Sequence, residues 1–201
     1  MSGSSAVRLA PALTAGRRSK DMSMTDVGEV LITEKQIRAR AKELGEQITK
    51  DYRGRQLVVV CTLNGGVMWT CDLIKNIDLD VRLDFLSAHS YGSSTVSSGV
   101  INVTHDLETN IKGKDVLFVE DIIDSGNTMA HLLKLFKTRE PHSLAVCTML
   151  NKEARRTADL KPDYIGFEVD DLFIVGYGLD FDQKYRHLPY VSYLRPEDID
   201  D

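Results

Sequence analysis

Two short runs, Leu57-Val58-Val59-Val60-Cys61 and Val116-Leu117-Phe118-Val119, each end in a turn and pass into an apolar segment of helical length. The first leads through Asn64-Gly65-Gly66 into Val67 to Ile77. The second leads through an acidic turn into a helix carrying Leu132, Leu133, Leu135 and Phe136. A fainter copy runs from Leu144 to Leu150 and on through Lys152 to Thr157. Continuous β-branched and apolar runs are strands covered on both faces, and their alternation with helices requires a parallel arrangement. The expected fold class is therefore α/β, a mainly parallel twisted sheet flanked by helices. An amphipathic helix precedes the first strand, with Ile37, Ala41, Leu44 and Ile48 spaced by four, three and four. Thr33 and Gln36 stand in capping-box relation at its start, and Gly54 closes it.

Between these units lie strand-like segments Val81 to Ala88 and Val100 to Thr104. The Ser/Gly-rich stretch between them, from Ser90 to Gly99, has too little apolar content to pack and is expected to be a mobile loop. After Pro162 the pattern changes to short strands, Tyr164 to Phe167, Phe173 to Gly176 and Val191 to Leu194. These predict a small cap or hood over about 163–195. The length of 201 residues and 42% apolar content suit one domain, expected over 28–201, behind a flexible tail of residues 1–27.

Net charge is −5, and the first 20 residues hold Arg8, Arg17, Arg18 and Lys20 with no acid, so the rest stands at −9. A body that acidic has no general attraction for nucleic acid, and any phosphate it binds needs a local site. No apolar run is long enough for a membrane span. Cys61, Cys71 and Cys147 show no metal spacing and follow no hydrophobic signal segment, which predicts reduced thiols in a cytoplasmic protein.

The stretch Val119-Glu120-Asp121-Ile122-Ile123-Asp124-Ser125-Gly126-Asn127-Thr128 carries the chemistry. Ligands of open α/β sheets bind beyond the carboxyl ends of the strands, and this strand delivers acids at that edge. Ser125 to Thr128 open the following helix, where unpaired N–H groups receive a phosphate without a lysine. Glu120 and Asp121 have the character to accept bonds from vicinal sugar hydroxyls, with Asp124 as a proton acceptor. A phosphorylated ribose satisfies that combination. An acidic turn that only caps a helix, or a phospho-acceptor Asp, satisfies the residues alone as well. The triphosphatase pattern G-x-x-x-x-G-K-[ST] is missing from the sequence.

This signature closely resembles the phosphoribosyl-pyrophosphate (PRPP) motif of type I phosphoribosyltransferases, in particular those acting on hypoxanthine and guanine. The resemblance extends to Leu63-Asn64-Gly65-Gly66, Ser90-Tyr91-Gly92, Lys152, Asp171 to Asp180, and Arg186, over approximately residues 30–195. It implies transfer of the 5-phosphoribosyl group of PRPP to N9 of hypoxanthine or guanine, giving IMP or GMP and pyrophosphate. It also implies the residue roles. Asp124 is the family's general base, and Glu120, Asp121, Asp124, Ser125, Gly126, Asn127 and Thr128 bind the ribose phosphate. Leu63, Asn64, Gly65 and Arg186 meet pyrophosphate, with a non-proline cis peptide after Leu63. Lys152 donates to the purine O6, Phe173 stacks on the base, and Ile174 and Asp180 border it. Ser90 and Tyr91 begin a lid. Magnesium (Mg2+) is the implied cofactor, held at Asp180 and at Glu120 with Asp121.

Asn64 departs from the family pattern, which often has Lys or Arg there. Partners implied are the small-molecule substrates and further copies of the chain, as a dimer or tetramer. Two alternatives stay open on the residues: a non-catalytic PRPP-sensing regulator of the same fold, and a xanthine-preferring transferase.

Overall fold

The computed structural model describes residues 27–90 and 101–195, together with the strand Val7–Arg8. Val7–Arg8 is β1, followed by α1 (Glu34–Asp51), β2 (Leu57–Leu63), α2 (Val67–Ile74), β3 (Arg82–Ser90) and β4 (Ile101–His105). Then come β5 (Asp115–Ile123), α3 (Asn127–Lys137), β6 (Ser143–Asn151), β7 (Tyr164–Glu168), β8 (Phe173–Val175) and β9 (Ser192–Leu194). The main sheet runs β1-β7-β6-β5-β2-β3-β4, and all its pairings are parallel except that of β4 with β3. The α/β expectation holds.

Alternation within the strands builds two cores. Val59, Leu117, Val119 and Cys147 face α1 and α2, meeting Ile37, Leu44, Trp69 and Leu73. Val58, Val60, Val116, Phe118 and Val146 face the other way onto Met129, Leu132 and Phe136 of α3. The helix α1 starts as its spacing predicts, with Thr33 and Gln36 forming a reciprocal capping box.

β2 feeds a helix on one face, while its neighbour β5 feeds a helix on the other. The strand order reverses between them, which opens a crevice at their carboxyl ends. The loop 63–66 and the loop 124–126 both end there.

Four expectations are corrected. The segment after β6 forms a single 3-10 turn, Glu153–Arg155, rather than a helix, because its residues have no apolar stripe to bury. Tyr164–Glu168, expected in the hood, is strand β7 of the main sheet, parallel to β6 and buried along most of its length. The hood is thus the smaller antiparallel pair β8–β9, with Val175, Leu188 and Leu194 in its core. Val27, assigned to the tail, is buried in that same core, and Val7–Arg8 of the expected tail pairs with the open edge of β7. The expected lid begins at Ser90, the last residue of β3; Tyr91 and the rest of the loop to residue 100 lie outside the described residues.

Candidate active site

Asp124, Ser125 and Gly126 link β5 to α3. Gly126 takes φ +79°, a conformation that glycine adopts without strain, and a Cβ there would lie 2.9 Å from Arg156 Cδ. The helix then opens at Asn127 with no side-chain bond from the cap residue Gly126; the Asn127 amide makes one long bond, to Ser125 Oγ at 3.4 Å, which a ligand oxygen can replace. Asn127 Nδ2 donates to Thr157 Oγ1 at 3.0 Å. Asp124 extends from this turn with Oδ1 buried and unpaired within the protein. A buried acceptor without a donor is costly unless a ligand supplies one.

Lys152, just after β6, is buried with three acceptors around its side-chain nitrogen. Its Nζ donates to the Leu172 carbonyl at 2.8 Å and lies 3.7 Å from both Asp124 Oδ2 and Asp171 Oδ1. Arg155 Nε holds Asp171 at 2.7 Å. Phe173 follows Leu172 directly, stays 41% exposed, and meets Phe181 edge to face at 5.5 Å. Its aromatic surface therefore stands open next to the buried ammonium. Ile174 is buried in β8 opposite Tyr193.

Across the crevice, the Leu63-Asn64 peptide is cis, as the resemblance implies, and Asn64 is exposed. A Cβ at Gly65 would lie 1.8 Å from Asp121 Oδ2, and one at Gly178 would lie 2.1 Å from the Gly65 carbonyl. Three segments thus stack in van der Waals contact: β5, the loop 63–66 and the hood turn 176–179. That turn is held down by Tyr177, whose hydroxyl donates to Asp72 on α2. Above it Asp180 and Arg186 form an ion pair at 2.8 Å, and Arg186 also donates to the Gly178 carbonyl at 2.7 Å. Asp180 accepts the Gln183 amide as well.

Glu120 and Asp121 lie at the floor of the crevice. Burial pushes both carboxyls toward protonation, and the Asp121 charge adds to the effect on Glu120. A half-buried acidic pair of this kind has the charge to accept a cation. Among the described residues, no three His, Cys, Asp or Glu groups converge as a ligand cluster. An ion here has to be completed by substrate oxygens and water, which suits magnesium.

The described residues predicted at the base, phosphate and pyrophosphate positions are therefore brought to one crevice; Tyr91, predicted in the lid, lies outside the described residues. Sequence reasoning passed over two groups. Asp171 lay inside a quoted motif but drew no role, and Arg156 lay inside the expected helix of Lys152 to Thr157 and drew none either.

This chain matches the family described as phosphoribosyl transferase domain over residues 29–182. It is 45% identical over 175 residues to the hypoxanthine-guanine phosphoribosyltransferase of Bacillus subtilis, covering 87% of this chain and 97% of that protein. The chain belongs to this phosphoribosyltransferase family. The hypoxanthine phosphoribosyltransferase of Salmonella typhimurium is 47% identical over 166 residues, covering 82% of this chain and 93% of the relative. The crystal structure of a Staphylococcus aureus hypoxanthine phosphoribosyltransferase superposes with a TM-score of 0.83 at 45% identity, over 86% of this chain and 94% of that one. Among the described residues, no helix is long and apolar enough to cross a membrane.

Proposed function

We propose that the chain is a purine-salvage transferase that moves the 5-phosphoribosyl group of PRPP to N9 of hypoxanthine or guanine, releasing pyrophosphate. The observation that carries this reading is the convergence on one crevice of an anion-ready turn, a buried ammonium and an open aromatic. The turn opens at Asp124, the ammonium is Lys152, and the ring is Phe173.

The 5-phosphate rests on the amides of Ser125, Gly126, Asn127 and Thr128, and Glu120 and Asp121 take the ribose hydroxyls. The base stacks on Phe173 with its O6 toward Lys152, with the Ile174 backbone and Asp180 along its edge. A cationic donor at O6 selects an oxopurine, because the exocyclic amine of adenine would set donor against donor. Asp124, its carboxylate 3.7 Å from Lys152 Nζ, lies near N7 of the base and accepts the N7 proton as N9 attacks C1 of the ribose and the C1–O bond to pyrophosphate breaks. A carboxylate there also stabilises positive charge that develops on the sugar. The loop of Leu63, Asn64 and Gly65 presents backbone to the leaving pyrophosphate, and Arg186 supplies a two-pronged donor after release from Asp180. When bound, magnesium offsets the negative charge of pyrophosphate, with Glu120, Asp121 and Asp180 as the carboxylates within reach. Ser90 and Tyr91 open the segment that covers the site from water.

The enzyme works on small molecules, in the cytoplasm, where its three free thiols stay reduced. It acts as a homo-oligomer, a dimer or tetramer, whose contact uses the exposed apolar Met68, Leu83 and Phe85; size-exclusion chromatography with light scattering reads its mass. The decisive assay offers PRPP and magnesium with hypoxanthine, guanine, xanthine and adenine in parallel. Turnover with hypoxanthine and guanine and none with adenine is expected; equal use of adenine, or no turnover with any base, overturns the reading.

A further inference from the structure

Three successive carbonyls of the phosphate turn face away from the crevice, and all three are captured by one segment. Ile123 O accepts from the Lys152 amide at 3.0 Å and from one terminal nitrogen of Arg156 at 3.2 Å. Asp124 O accepts from Arg156 Nε at 3.0 Å. Ser125 O accepts from the amides of Thr157 at 3.0 Å and Ala158 at 3.1 Å. In a planar trans peptide the carbonyl and the following N–H point in opposite directions. Fixing these three oxygens on one side therefore aims the amides of Asp124, Ser125 and Gly126 to the other side, and the last two of these are among the amides assigned to the 5-phosphate. The only cis peptide among the described residues is Leu63-Asn64, so the argument applies to all three units.

Arg156 is the centre of this brace. Its other terminal nitrogen holds Leu160 O at 2.6 Å, and a further bond runs to Asn151 Oδ1. Asn151 Nδ2 is held in turn by the Glu168 carboxylate at 2.9 and 3.1 Å. The fork geometry of guanidinium, with five donors in a plane, matches carbonyls on several sides at once.

We infer that Arg156 is a positioning residue for the 5-phosphate: it turns the peptide units after Ile123 so that their amides form the anion cradle. It touches no substrate atom in this role. The inference rests on the proposed phosphoribosyl-transfer function, and binding measurements separate the two. Calorimetry without magnesium compares GMP with guanosine, which differ only in the 5-phosphate. Arg156→Met should weaken GMP binding by about tenfold or more, the effect of losing one or two hydrogen bonds' worth of preorganisation, while guanosine affinity holds. Arg156→Lys keeps the stem and charge without the fork; it should show the same selective loss and takes over as the readout if the Met variant does not fold. A folded variant whose GMP-to-guanosine ratio equals wild type overturns the inference, even if its melting temperature has dropped. A wild-type protein with no preference for GMP over guanosine overturns the functional reading and this inference with it.

Discussion

Lys152 shows how a lysine is accommodated in a nearly buried position. An ammonium 7% exposed at its side chain is tolerated only because a carbonyl at 2.8 Å and two carboxylates at 3.7 Å compensate its lost hydration. None of the three saturates its donors, so one remains for a purine oxygen. Lys152→Met keeps the buried stem and removes the donor. Its loss should erode the ratio of kcat/KM for hypoxanthine over adenine by roughly 10- to 100-fold, the size of one charge-assisted hydrogen bond. Steady-state kinetics with both bases checks it, and an unchanged ratio removes Lys152 from base selection.

At the scale of elements, the site depends on how closely loops approach. Gly65→Ala places a methyl 1.8 Å from the Asp121 carboxylate, a distance no rotamer change at position 65 can relieve. Either the Asp121 carboxylate swings out of its place or the loop lifts away from β5, and both disturb the contact between the two. Pyrophosphate release and binding should suffer most, seen as a PRPP KM raised about tenfold or more with a smaller change in purine KM.

A second element contact is electrostatic. Asp106, just after β4, takes a two-pronged bond from Arg139, just after α3, at 2.8 and 2.9 Å, and Arg139 lies 4.2 Å over the Phe136 ring. That bond, above all, holds the Asp106 carboxyl below its ordinary range. A carboxyl depressed in the folded state adds stability above its unfolded pKa, ~3.9, and loses it as pH falls through the folded value. The pair is half-exposed, so Asp106→Asn should cost only about 0.5 kcal/mol at neutral pH. Urea unfolding at a series of pH values should show that difference shrinking below about pH 4.

These elements were legible to different degrees. β2 with α2 and β5 with α3 announced themselves because each strand is an unbroken apolar run that stops at a glycine or acidic turn. The capping box of α1 was legible from two residues. β7 was not assigned to the main sheet because a short run such as Tyr164-Ile165-Gly166-Phe167 after a proline looks alike in a hood and in a sheet edge; only the partner strand distinguishes them. Lys152 and Phe173 were found through motif resemblance, since a lone lysine or phenylalanine has no spacing to betray it. Arg156 was invisible because the partners that matter, the carbonyls of Ile123 and Asp124, stand some 30 residues earlier in the chain, and carbonyls leave no trace in side-chain sequence.

Across the whole molecule, Phe173 and Ile174 keep their place beside the crevice only if the hood stays docked on the sheet, and the segment before α1 helps to hold it by pairing with β9. The segment before α1 runs along β9, where the Gly28 amide donates to Tyr193 O at 2.7 Å and Ile32 bridges Val191. Ser192 Oγ, fully buried, lies 3.0 Å from Gly28 O and 2.9 Å from Glu29 O. One hydroxyl has one proton, so it serves two carbonyls by sharing it, and removing it leaves both without that partner. Ser192→Ala should therefore cost about 1–3 kcal/mol in denaturant unfolding. If the staple also holds the hood in register over the crevice, purine KM should rise more than PRPP KM, because Phe173 and Ile174 ride on β8 while the phosphate turn belongs to β5. Equal changes in both constants would mean that the sheet alone sets the hood's position, through the Gly178 and Gly65 contact and the Tyr177 bond to Asp72.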